Sequence, residues 1–419
     1  MPELSLTSFE HTRETRLATV TPVSAARSRR VWLVAAAALL AAAVLFSAAR
    51  LTAVRYHDDS LWANALASLG GTQRPGDFGY VFLPAANEVL DGRDPYMTPD
   101  DFKGPPQAPY AYPPVLAFAV TPLTLPPEEV HGIFVPGVLF VLLLVAATIA
   151  GLWLLDVRDW RCYPVASLAP VTLEGFEYGA IGPVLLLLIA IGWRYRDRVA
   201  TVGAATGGAV VLKLFLWPLL IWLVLTRRIR AAVAAAATAV GLGFVSWAVI
   251  GFGGIDEYPR LLRRLADVEA ENSYSVFAIL RTIGAPELLA RVLVLALGGA
   301  LLVLAWHAAR GQLDPVEGDR RSLTLVIAAA LVLTPILWLH YLVLLFVPIA
   351  LARPRLSGLW FVPLALTVFE AMNWYRGWPA GEGKALASVA VCVVIVFVSA
   401  LRSGRGVEPV REAAPAGTP

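Results

Sequence analysis

The sequence predicts an all-α polytopic membrane protein, and three observations predict it. The 419 residues are 58% hydrophobic and 16% charged, with a mean hydropathy of +0.67. A soluble chain would be about a quarter charged, so most of this surface faces lipid. Apolar runs near the ~20 residues needed to cross a bilayer recur along the chain. Lys and Arg gather in the short loops between those runs, which is the charge pattern of cytoplasmic loops.

The elements follow in order. Met1 to Arg30 is a polar tail, expected to be disordered and cytoplasmic. Val31–Leu51 is the first span. A signal peptide is the competing reading, but the long polar lead and the lack of a small-residue cleavage site favour a retained helix. Residues 52–112 form a long first outer loop. Further apolar runs are His131–Leu155, Tyr163–Leu173, Ile181–Trp193, Val199–Thr226, Ala231–Phe252, Leu288–His307, Leu323–Leu337, Leu339–Leu351, Gly358–Met372 and Ala385–Leu401. Val199–Thr226 is long enough for a hairpin. The total is roughly 11 to 13 spans, some short or broken, within one domain over residues 31–403. The Pro, Ala and Glu of residues 404–419 make a disordered tail.

The Arg clusters at 194–198, 227–230, 310–321, 353–355 and 402–405 place those loops in the cytoplasm. Thr52–Tyr110, Gly253–Pro286 and Asn373–Lys384 then face outside. One conflict stays open. If Tyr112–Leu125 and His131–Leu155 both cross, Arg158 and Arg161 fall outside, so one short segment dips without crossing.

Several function classes are excluded. The net charge of +3 is too small for a nucleic-acid footprint. Cys162 and Cys392 have no metal-site or disulfide spacing. Walker, Gly-x-Gly-x-x-Gly and His-Glu-x-x-His signatures are absent.

The chemistry collects in the outer loops. Asp77 follows the Pro75-Gly76 turn and opens a helix from Phe78 to Leu90, with Pro84 as a kink. It reads as an N-cap and, compatibly, as an ionised general base toward a hydroxyl, since a helix N-terminus favours the carboxylate. Asp94 in Gly92-Arg93-Asp94-Pro95-Tyr96 reads as a turn residue, and Tyr110 to Pro114 as interfacial anchors. Lys213, inside an apolar run, either snorkels or binds an anionic head group. His340 sits at a break between two short spans, where it could donate to a phosphate or a sugar hydroxyl. Arg260, Arg263 and Arg264, then Glu271 to Ser275 and Arg281, make a basic outer loop. It reads as a phosphate holder or as an amphipathic helix lying on anionic lipid.

At these residues the chain resembles glycosyltransferase family 87, membrane transferases of the GT-C fold. The resemblance rests on Asp77-Phe78-Gly79-Tyr80, Ala85-Ala86, Gly92-Arg93-Asp94-Pro95-Tyr96 and Tyr112-Pro113-Pro114. Later marks are Lys213 with Pro218, Asn272-Ser273 with Arg281, and Thr334-Pro335 with Trp338, His340 and Tyr341. One departure is Glu174-Gly175-Phe176-Glu177, where such proteins often carry a Gly-Gln-Asn-like mark.

The resemblance implies transfer of a sugar, mannose most often, from a polyprenyl-phosphate donor to a hydroxyl of a lipid-linked glycan or glycolipid. The transfer occurs with inversion at the outer face of the cytoplasmic membrane. Asp77 is the implied catalytic base. His340, Arg281, Lys213, Asn272 and Tyr80 are implied to bind donor phosphate or sugar. Asp94, Tyr96, Tyr112 and Pro113 shape the loop. No metal or cofactor is expected. The partners are the lipid bilayer, the donor and the acceptor, with no nucleic acid. An arabinofuranosyltransferase, a lipid or sugar transporter or flippase, and a membrane scaffold are the alternatives. The gathering of polar residues in outer loops, rather than on broken midplane helices, favours an enzyme.

Overall fold

The computed structural model describes residues 67–71, 74–104, 108–269, 273–311, 314–366 and 383–402, the last without the side chains of 383–386. Counting helices of eight residues or more, the described residues run α1 (Leu83–Leu90), α2 (Val135–Leu154), α3 (Pro170–Tyr178), α4 (Gly182–Arg194), α5 (Val199–Leu212), α6 (Pro218–Leu225) and α7 (Ile229–Val249). They continue through α8 (Glu257–Glu269), α9 (Glu287–Arg310), α10 (Pro315–Leu333) and α11 (Gly383–Arg402). The strands among them, Glu129–Val130 and Ile133–Phe134, form one two-residue antiparallel hairpin. The chain is an all-α membrane protein, as its composition requires. The expected first span Val31–Leu51, both tails and most of Asn373–Lys384 lie outside the described residues.

Three described helices, α2, α7 and α9, are long and apolar enough to cross a bilayer. On α7 and α9 large apolar side chains such as Phe244, Val245, Leu288 and Leu295 stand exposed, as lipid-facing residues do. The other apolar runs are broken. α3 and α4 meet at a bend of 118°, where Gly179 takes a left-handed φ of 62°. The Val199–Thr226 run is interrupted at Lys213, whose φ of −148° and ψ of 102° are extended, and a 3₁₀ turn Leu214–Leu216 leads on to α6. Leu339–Leu345 is 3₁₀ before the helix Phe346–Ala352. Such breaks occur at membrane depth only where protein or a polar cavity surrounds them.

Loop contacts bear on the open topology question. Arg158 N donates to Pro354 O at 2.8 Å, and Leu356 N donates to the Asp159 carboxylate at 3.3 Å. The Arg158–Arg161 loop therefore shares a face with the Arg353–Arg355 loop. Pro114–Thr124 is an 11-residue apolar segment in a helix plus a 3₁₀ turn. At 1.5 Å per residue it reaches only about 17 Å, too short to cross.

The other arginine loops meet as well. Asp319 accepts from both nitrogens of the Arg228 fork at 3.0 and 2.8 Å and from Arg196 at 3.1 Å. From this arginine face α4, α5 and α10 run to a second end of the bundle. There Gly182 lies against the His340 carbonyl, Leu212 precedes Lys213, and Leu333 precedes the Thr334–Trp338 break.

Candidate active site

Asp77 sits in a continuous helical start and does not act as its cap. Its φ of −64° and ψ of −43° are helical, and its side chain makes no capping hydrogen bond. This corrects the N-cap reading. The turn begins one step earlier, with Gly79 N donating to Pro75 O at 2.6 Å. Phe78–Phe82 then forms a π-helical turn before α1, with Pro84 in the first turn of α1. Proline has no N–H for a regular ladder, so a wider turn upstream of it is a natural junction. Phe78 stacks on Phe140 at 4.4 Å and Phe82 meets Tyr112 edge-on at 5.2 Å, which anchors the turn to α2 and to the Tyr112 loop.

Around the partly buried Asp77 stand three ionisable side chains from distant segments. His340, Lys213 and Glu174 all act on its charge. Burial is the largest influence and pushes the carboxyl up from its ordinary value; His340 and Lys213 pull it down, and Glu174 pushes it up.

Lys213 Nζ lies 4.0 Å over the Tyr112 ring and 4.8 Å from the Tyr341 ring centre. These cation–π contacts are worth about 0.5–2 kcal/mol and leave the ammonium hydrogens available. The Tyr112 and Tyr341 hydroxyls are 3.2 Å apart. His340 is 5% exposed, and both of its ring nitrogens lack a hydrogen-bond partner. Its Nδ1 is 3.5 Å from Glu174 Oε2, also unpartnered. Such atoms cost about 1–3 kcal/mol each unless a ligand or water satisfies them.

The loop residues hold this arrangement in place. Asp94 Oδ1 accepts from Tyr96 N at 3.2 Å. A side chain on Gly253 would meet the Asp94 carboxylate at 3.2 Å, so the loop lies close on the turn before α8. Tyr96 OH donates to Tyr112 O at 2.9 Å, and Tyr110 OH donates to Pro113 O at 2.8 Å. Tyr96 also packs on Trp247 and Tyr258. Trp247 and Tyr258 were invisible to motif reasoning, since each lies alone in an unremarkable stretch.

Other sequence expectations fall outside the cluster. Tyr80 is 66% exposed and makes no hydrogen bond or ring contact with the cluster among the described residues. Arg281 donates to Ala285 O at 2.8 Å, closing the end of its own helix Val276–Thr282. That segment is tied to the His340 loop by Tyr274 N donating to Leu337 O at 2.8 Å. Asn272 lies outside the described residues. Arg260, Arg263 and Arg264 project from α8 on its exposed side, while Tyr258 and Leu261 are buried, so this basic stretch is an amphipathic helix. Among the described residues no group of three His, Cys, Asp or Glu is placed to hold a metal ion.

A buried carboxylate, a cation and an unpartnered imidazole at the end of a bundle of broken helices suit transfer of a group between polar partners at a membrane. The family model for glycosyltransferase family 87 matches residues 110–335, more than half of the chain. The chain belongs to glycosyltransferase family 87. Lys213, Glu174 and Tyr112 lie inside the matched residues, whereas His340 lies just beyond their end and Asp77 well before their start. The chain is also 28% identical over 374 residues to a polyprenol-phosphate-mannose-dependent alpha-(1-2)-phosphatidylinositol mannoside mannosyltransferase of Mycolicibacterium smegmatis, covering 78% of this chain and 84% of that one. No solved structure matches. This family 87 member is thus a membrane glycosyltransferase of the mannosyltransferase-like kind.

Proposed function

We propose that this enzyme moves mannose from a polyprenyl-phosphate donor to a hydroxyl of a lipid-linked glycan or glycolipid, at the outer face of the cytoplasmic membrane, with inversion. The observation that carries the reading is the partly buried Asp77 carboxylate, free of capping bonds, beside Lys213 and His340. The similarity to a relative whose name gives a polyprenol-phosphate-mannose donor and a phosphatidylinositol mannoside acceptor supports the substrate class. The site's position at the end of α4, α5 and α10 away from the arginine loops supports the outer face.

In this mechanism Asp77 accepts the proton of the acceptor hydroxyl as its oxygen bonds to the anomeric carbon. The bond from that carbon to the phosphate oxygen breaks in the same displacement. The leaving group departs as a polyprenyl phosphate, already a weak base, so no strong general acid is needed. Lys213 and His340 stabilise its growing charge. One displacement on the β-linked donor that the family resemblance implies gives an α-linkage. The scheme uses no metal, so chelation by EDTA leaves the rate unchanged; loss of activity restored by a divalent cation would contradict it.

The test is transfer by purified protein in lipid nanodiscs from radiolabelled polyprenyl-phosphate mannose and, separately, polyprenyl-phosphate arabinose to a mannosylated phosphatidylinositol. An alkali-stable α-mannoside is expected. Transfer from the arabinose donor alone would overturn the choice of sugar. Lipid movement without a new glycosidic bond would overturn the enzyme reading for this substrate.

A further inference from the structure

We propose that Glu174 and His340 form a subsite for one sugar hydroxyl, with Glu174 as its specificity-determining carboxylate. This rests on the transferase reading above. Glu174 Oε2 is buried without a hydrogen-bond partner, as are both nitrogens of His340, and the two residues approach to 3.5 Å. That separation is long for a direct hydrogen bond. It is short enough for one oxygen atom to sit about 2.8 Å from each. A hydroxyl is the group that fits, because it donates to the carboxylate and accepts from a ring N–H through the same atom.

Two features hold the subsite rigid. Gly182 presses on the His340 carbonyl, where an added Cβ would come within 2.7 Å, and the left-handed Gly179 ends the helix that carries Glu174. The Glu174 side chain is 19% exposed although its Oε2 is buried. Tyr178, one turn further along α3, brings its ring within 6.3 Å of the imidazole and offers an aromatic wall for a sugar face. Both Glu174 and His340 act on the charge of Asp77, so the subsite lies near the base of the proposed transfer.

The hydroxyl can belong to the donor sugar or to the acceptor sugar, and paired substrate series separate the two. Initial rates are measured for wild type, Glu174→Gln and Glu174→Asp in nanodiscs, with a donor series of monodeoxy polyprenyl-phosphate mannoses and an acceptor series of monodeoxy glycolipids. Glu174→Gln keeps the side-chain size, so folding is preserved and is checked by thermal melting. The expected result is a fall in kcat/KM of about 10- to 100-fold on the full substrates, as for loss of a charge-assisted hydrogen bond. On the single deoxy substrate lacking the recognised hydroxyl, wild type and Glu174→Gln should agree within about twofold, and the series containing that substrate names the source. An equal loss on every analogue, or no loss on the full substrates, overturns the subsite. Wild-type protein that transfers sugar while Glu174→Gln is unchanged removes the subsite alone. Wild-type protein that transfers nothing removes the transferase reading and the subsite with it.

Discussion

Asp77 is the proposed base, and its surroundings set its behaviour with pH. Its pKa is raised by burial, so the folded state holds a proton that the unfolded chain has already released over the window just above the ordinary value. Stability therefore falls as pH rises through that window, because the native state binds more protons there than the unfolded state. Asp77→Asn removes the buried charge and is expected to melt at the same or a higher temperature, while transfer drops by at least about 100-fold. A lower melting temperature with retained activity would remove the assignment. In wild type the rate should rise with pH through an apparent pKa above the usual carboxylate range, read from kcat/KM against pH. Lys213→Gln should raise the donor KM by about tenfold, since the cation over Tyr112 and Tyr341 is lost. At this scale the sequence singled out Lys213 and His340 as polar groups in apolar runs and Asp77 by its turn in an outer loop, and the structure brings the three together. The position of Tyr80 was not legible, because its motif says nothing of the π turn that leaves it on the surface.

At the scale of elements, the site is built from breaks. The π turn follows Asp77, the extended Lys213 lies between α5 and the 3₁₀ turn, and a 3₁₀ stretch carries His340. Hydropathy located these runs but not their bends, because an apolar run looks the same straight or folded. The 118° junction of α3 and α4 was read as two spans for that reason. Gly182 lies beside that junction and tests it. Gly182→Ala places a Cβ 2.7 Å from the His340 backbone oxygen and 3.0 Å from Val343 Cγ1. A backbone atom cannot swing aside as a flexible side chain can, so the His340 turn must shift. A loss of transfer of about tenfold or more is expected, with the protein still folded, as geometry at a reacting centre tolerates little displacement. Wild-type rates in Gly182→Ala would show that the His340 position is not critical.

Across the whole molecule, the two ends of the bundle have separate tasks. One end gathers the arginine loops around Asp319, with Arg196 and Arg228 forming its main pairs. Asp319→Ala removes the carboxylate shared by two largely buried guanidinium groups, leaving Arg228 its pair with Asp197 and Arg196 its bond to the Trp193 carbonyl, so a stability loss of about 1–3 kcal/mol is expected in denaturation. Transfer per folded molecule should stay unchanged, because the pairs lie at the opposite end from Asp77. The positive-inside pattern pointed to this end from the sequence, and the contact between Arg158 and Pro354 joins the loop that the pattern left in conflict to another arginine loop. The other end gathers Asp77, Glu174, Lys213 and His340 from segments far apart in the chain, a meeting that spacing alone does not encode. The central claim is that this end transfers a sugar by way of the Asp77 carboxylate. The direct measurement is the amount of labelled α-mannoside formed from polyprenyl-phosphate mannose by equal quantities of folded wild type and Asp77→Asn in nanodiscs. Robust product from wild type and a loss of at least about 100-fold in Asp77→Asn are predicted; equal product from both proteins would contradict the account.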